Sequence, residues 1–215
     1  MKAFHIAISI ALIIFIIILI SNVIFRQTVE KNGFLVERVL PVSGFEKAYF
    51  PIKWNIPPAI FTHNCYYYEF DNYNIFKTGF SQPGYLSHSK PSESGDRMTC
   101  AGVNERLNND HGNNITVAGR NDVCGPGKYK IALIADRNKD YHFLRQNKDG
   151  TWSHKPGNTF ATNLDYSGKL VTDPEAANFI SGEFSYNDFC NYFCIDRDAK
   201  LNFRSKVRKW MSDLI

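Results

Sequence analysis

The sequence predicts an α+β domain built on an antiparallel sheet and preceded by one N-terminal transmembrane helix. Three stretches carry that expectation. Residues 140–157, DYHFLRQNKDGTWSHKPG, place an aromatic and apolar strand before Asn147-Lys148-Asp149-Gly150 and a second strand after it. That cluster is a turn with Gly where positive φ is needed, so the stretch reads as a β-hairpin. Residues 128–135 read as a strand with Tyr129, Ile131, Leu133 and Ala135 on one face, and 136–139 turn it into the hairpin. Residues 3–25 carry no charged side chain, and about 20 apolar residues span a bilayer core as a helix.

The apolar run sets the first boundary. Signal-peptide h-regions run about 7–15 residues and end at small residues. Here 6–20 is almost wholly aliphatic, and Ser21-Asn22-Val23 is a poor cleavage site. An uncleaved anchor over 1–25 is therefore expected, with a single-pass membrane location and the lipid bilayer as partner of residues 3–25. For a viral source the membrane would be that of the virion or host. Arg26, Lys31 and Arg38 outnumber Lys2 across the run, which favours a cytosolic domain, whereas cysteine pairing favours an oxidising compartment. The two signals disagree, and orientation stays open.

Residues 26–62 follow as a juxtamembrane segment, broken by Pro41, Pro51, Pro57 and Pro58. The domain itself is expected over 63–198. A short helix is expected to begin near Asn64, because Asn is a good N-cap, although Tyr66–Tyr68 also suit a strand. Residues 98–109 read as a second helix, with Val103 and Leu107 facing inward, and 189–195 as a further strand. Asn114-Ile115-Thr116 is a glycosylation sequon. Residues 199–215 form a basic amphipathic C-terminal helix, with Phe203, Val207, Trp210, Met211 and Leu214 on one stripe. Such a helix can lie on an anionic bilayer or pack on its own domain.

Composition excludes some function classes. A net charge of +4 over 215 residues, with no RNP-like, zinc-finger or helix-turn-helix pattern, gives no support for nucleic acid as a partner. No P-loop, GxGxxG, GxSxG or HExxH is present, so no cofactor is expected. Residues 163–174 begin like an EF-hand, with Asn163, Asp165, Ser167 and Gly168, but Pro174 stands where the bidentate Glu belongs. A turn stabilised by Asx side chains is expected there, and no metal.

The chemistry rests on one cysteine and two histidines. With the turn centred between Lys148 and Asp149, His142 and His154 lie almost opposite, with Cβ atoms roughly 5 Å apart. Cys65, at a helix start, is the nucleophile this pair lacks, because cysteine attacks mainly as thiolate and the helix dipole favours that form. His142 is then the general base, and His154 the group that orients it. Asn64 and, from the later turn, Asn163 or Asp165 are secondary candidates. Five cysteines are an odd number: Cys100, Cys124, Cys190 and Cys194 can pair in three ways and leave Cys65 free. In an extended strand Cys190 and Cys194 stand about 13 Å apart, beyond disulfide reach. Each should pair with Cys100 or Cys124, or all four stay reduced. Zinc is poorly matched, since no CxxC knuckle occurs.

Asn64-Cys65-Tyr66, Gln82-Pro83-Gly84, the hairpin 140–157, TNLDYSGKLVTDP at 162–174 and DFCNYFC at 188–194 occur in that order. Together they resemble a largely uncharacterised family of bacteria and large viruses, over most of residues 65–194. Where Ala is common after the NCYxY start, this chain has Glu69. More distantly, the Cys, His and polar-residue spacing resembles the NlpC/P60 branch of papain-like cysteine hydrolases. That resemblance implies a papain-like fold and a membrane-anchored thiol hydrolase or transferase acting on a peptide or cell-wall amide, or on an ester of lipid. The reading of a different class is a non-catalytic membrane or virion-envelope protein that keeps the fold for structure or partner binding.

Overall fold

The computed structural model describes residues 39–73, 81–87, 98–137 and 139–199, with Ile13, Ile14 and Ile16. The chain divides into two units, Met1–Arg38 and Val39–Ile215, and the fold belongs to the second. Its frame is one five-stranded antiparallel sheet: β1 (Ile115–Ala118), β2 (Lys128–Asp136), β3 (Asp140–Gln146), β4 (Trp152–Ser153) and β5 (Asp188–Asp196). The spatial order is β1-β5-β2-β3-β4, so the last strand in sequence lies between the first two. Among the described residues of this unit three α-helices accompany it: α1 (Ala59–Thr62), α2 (Cys65–Glu69) and α3 (Cys100–His111).

Both faces of the sheet are covered, which is why β2 reads KYKIALIAD, nearly continuous in apolar residues, instead of alternating. Tyr129, Ile131 and Leu133 of β2, with Tyr141 and Phe143 of β3, pack with α2 and α3 on one face. Ala132, Ile134 and Leu144 join Trp152, Phe179 and Tyr186 on the other, which the irregular chain after β4 covers. Lys130 interrupts β2 but is satisfied, its Nζ donating to the Arg120 carbonyl at 3.0 Å.

A β-bulge decides where the disulfides go. Leu133 pairs with Asn191 and Ile134 with Phe189, leaving Cys190 as the extra residue of β5. Without it, Cys190 would share the face of Tyr192. The bulge turns it to the helical side, where it packs on the first core and bonds to Cys100 at the start of α3. Cys124, in the β1–β2 connection, bonds to Cys194.

Several expectations are corrected here. The papain-like (NlpC/P60-type) fold is not what the chain builds: the domain is a five-stranded antiparallel sheet with few helices, and α2, which carries Cys65, has only five residues. The likeness rested on three residues and their spacing, which define a local constellation and leave strand order free. The single-pass anchor is also overturned, since no helix among the described residues is long and apolar enough to cross a membrane. The run assigned to it, 3–25, lies outside the described residues except for Ile13, Ile14 and Ile16. The C-terminal helix assigned to 199–215 lies outside them beyond Ala199.

Candidate functional site

The hairpin register differs from the expected one by a small slip with a large effect. Arg145 pairs with Ser153 and Gln146 with Trp152, which centres the turn on Asp149. His154 has then left β4 and bridges to Thr162. It is a diagonal neighbour of His142, not its opposite. Diagonal pairs stand about 7–8 Å apart at the backbone, within reach of two rings. The rings meet edge to face, and His142 Nε2 lies 2.8 Å from His154 Nδ1.

The protons in this pair follow from its far end. His154 Nε2 lies 2.9 Å from the Leu164 carbonyl oxygen, which can only accept. The proton of His154 is therefore on Nε2, and its Nδ1 accepts from His142 Nε2–H. That leaves the lone pair of His142 on Nδ1, the tautomer of a general base. Burial pushes the His154 pKa down to about 4, and burial followed by the His154 charge pushes His142 well below the usual 6.5. Both rings rest neutral.

Cys65 is the free cysteine, and it is buried. It opens α2, whose N-cap is Asn64: the Asn64 Oδ1 accepts from Tyr67 N at 3.2 Å, and its Nδ2 donates to the Ser81 carbonyl at 2.9 Å. Asn64 thus shapes the helix start. Cys65 packs with the first core, whereas His142, on the alternate residue of β3, faces Tyr186 and the second. The backbone N–H of Phe143, next to His142, faces the sulfur and favours its anion. A Cys65 thiolate also bears electrostatically on Tyr166 and Tyr186, the rings that lie against His154 and His142. Thiol and imidazoles share neighbours at the edge of β3, with no hydrogen bond joining Cys65 to either ring among the described residues.

The thiol is not ionised at rest. Burial, then the Glu69 carboxylate, then Asp140 push its pKa well above the ordinary range, against the backbone N–H groups of Phe143 and Tyr66. Glu69 is one helical turn along, fully buried, and neither carboxyl oxygen has a hydrogen-bond partner. Burial lifts its own pKa strongly in spite of the Arg145 charge. Arg145 is buried beside it, with Nη1 on the Tyr68 carbonyl at 3.0 Å and the guanidinium 4.4 Å above the Tyr68 ring.

Asp165 does not orient His142. It accepts from Ser167 N and Oγ, Lys169 N and Asn178 N, which makes it the pivot of the Asx turn in DYSG. Asn163 is buried and its carbonyl accepts from Val171 N. Lys155 is a residue that sequence reasoning missed. A lysine before Pro-Gly reads as exposed, yet its Nζ donates to the carbonyls of Ile60 at 3.0 Å, His63 at 2.6 Å and Gly157 at 2.6 Å. This clamp ties α1 and the residue before Asn64 to the chain that leaves His154. Burial lowers its pKa to about 8, against the pull of Cys65. Nothing in the local pattern signals it.

Among the described residues no group of three His, Cys, Asp or Glu side chains could hold a metal. Over 153 residues the chain is 33% identical to insoluble matrix shell protein 1 of Ruditapes philippinarum, covering 71% of this chain and 92% of that protein. No family model matches the chain, and no solved structure matches it. A relative named for the shell matrix, with no described helix able to cross a membrane, overturns the single-pass membrane location and the virion-envelope keywords.

Proposed function

The chain belongs to the family of insoluble matrix shell protein 1, and from that premise we propose a disulfide-braced domain with a Cys-His-His centre for acyl hydrolysis or transfer. The observation that carries the reading is the imidazole relay, Leu164 O to His154 to His142, which leaves the unprotonated nitrogen of His142 at Nδ1.

The resting neutrality of both partners sets the mechanism. The Cys65 sulfur attacks an amide or ester carbonyl while its proton passes to His142 Nδ1, and His154 steadies the imidazolium through Nε2–H of His142. The S–C bond forms, the proton goes on to the leaving amine or alkoxide, and water or a second nucleophile releases the acyl group. Substrates of a matrix protein would be peptide amides or esters.

The second reading is a structural matrix component without turnover. Its support is the name of the relative and the burial of the thiol. A small activated ester separates the two. Because the other four cysteines are in disulfides, mass spectrometry after p-nitrophenyl acetate reads Cys65 alone. Acylation should be at least about tenfold slower in His142→Ala, the lower range of general-base effects being about a hundredfold. Cys65 acylated no faster than a cysteine peptide, and equally fast in His142→Ala, would leave the structural reading.

A further inference from the structure

We infer that Asn114 carries an N-linked oligosaccharide beside the free edge of the sheet. Asn114-Ile115-Thr116 is the single Asn-X-Ser/Thr triplet in the chain. Asn114 ends the 3-10 turn Gly112–Asn114 and the strand β1 starts at Ile115. Ile115 turns inward and is buried in the first core, while Asn114 and Thr116 on either side of it are exposed. Successive strand residues point to opposite faces, so the carboxamide and the hydroxyl, which must be read together, both face solvent. Among the described residues no hydrogen bond engages the Asn114 side chain.

Two further observations favour modification here. The disulfides Cys100–Cys190 and Cys124–Cys194 call for an oxidising compartment, where sequons meet the transfer machinery. Thr116 pairs directly with Cys194, so site and bridge share a strand pair. β1 is also an edge strand, with uncharged residues ITVA and Val117 65% exposed. Such an edge is one that proteins usually shield, and a hydrated glycan stands where shielding is needed. In the step itself, Nδ2 of Asn114 displaces the pyrophosphate from the anomeric carbon of a polyisoprenyl-pyrophosphate oligosaccharide. The C–N bond forms, the C–O bond to pyrophosphate breaks and the amide loses one proton.

The test expresses the full chain in the secretory pathway of a eukaryotic cell and treats the product with peptide-N-glycosidase F. The expected result is one mobility step, with Asn converted to Asp at position 114 by mass spectrometry. Asn114→Gln and Thr116→Ala should abolish the step, and Thr116→Ser, which keeps the hydroxyl and the fold, should retain it. An unshifted chain, whatever the state of its disulfides, overturns the assignment, as does a step that survives in Asn114→Gln.

Discussion

At the residue scale the site is a set of groups held in their neutral forms, and pH should act on the fold through them. His154 is pushed down to about 4 and His142 well below 6.5, so between those values the unfolded chain binds more protons than the native one. Stability is therefore full above about 6.5 and is lost as pH falls toward 4. His154 alone accounts for on the order of 3 kcal/mol over that window. Glu69 acts in the opposite sense. Its raised pKa means that the native chain holds a proton the unfolded chain releases, so its contribution is full below about 4.5 and is lost as pH rises through the folded value. Urea midpoints across pH 4–8 should fall on the acid side, and His142→Gln with His154→Gln should flatten that limb. An acid limb unchanged in the double variant would show that other groups control it. Part of this scale was legible: the sequence brings His142 and His154 together, as their 2.8 Å contact does, while the roles expected of Cys65 and the two rings remain a proposal. The burial of Glu69, Arg145 and Lys155 was not, because a charged side chain in sequence gives no sign of the carbonyls or rings that will receive it.

At the element scale the hairpin turn sets where the histidines go. Asn147 N donates to Thr151 O at 2.7 Å and Gly150 N to Asn147 O at 2.9 Å. Gly150 has φ of +81°, and a Cβ on it would stand 2.8 Å from Val39 Cγ2. Backbone and space both exclude a side chain there. Gly150→Ala should cost roughly 2 kcal/mol or more, since the left-handed backbone alone accounts for about 1–2 kcal/mol. It should also shift the His142 ring resonances by disturbing the register. A variant as stable as the parent, measured by chemical denaturation, would mean that the turn relaxes freely. The two strands and their turn could be read from alternation and the Asp-Gly pair. The slip from opposite to diagonal pairing could not, because it depends on where the turn closes, with Asn147 N on Thr151 O and the centre at Asp149.

At the scale of the whole molecule, the strand order was the part least available from sequence. β5 enters between β1 and β2 after the 34 residues of irregular chain at 154–187, and only long-range pairing decides that. A resemblance resting on three residues suggested another fold, since local spacing does not constrain which strand is central. The cysteines were more informative, because the extended reading of 189–195 already kept Cys190 from Cys194. The bridges close separations of 90 and 70 residues, and constraint of the unfolded chain alone suggests about 4 kcal/mol for each. Cys100–Cys190 holds α3 to the bulge of β5 and Cys124–Cys194 holds the β1–β2 connection to the same strand, so both act on the strand that joins the sheet. Reduction should then loosen the sheet as a unit. Guanidinium unfolding is expected to show a loss of several kcal/mol on adding reductant, with Cys100→Ser/Cys190→Ser and Cys124→Ser/Cys194→Ser each giving a large part of it. Because Cys65 is the remaining thiol, it can invade these bridges once the chain unfolds. Cys65→Ser should therefore refold with fewer mispaired species at no cost to disulfide content, and equal mispairing with and without Cys65 would show that burial shields the thiol throughout folding.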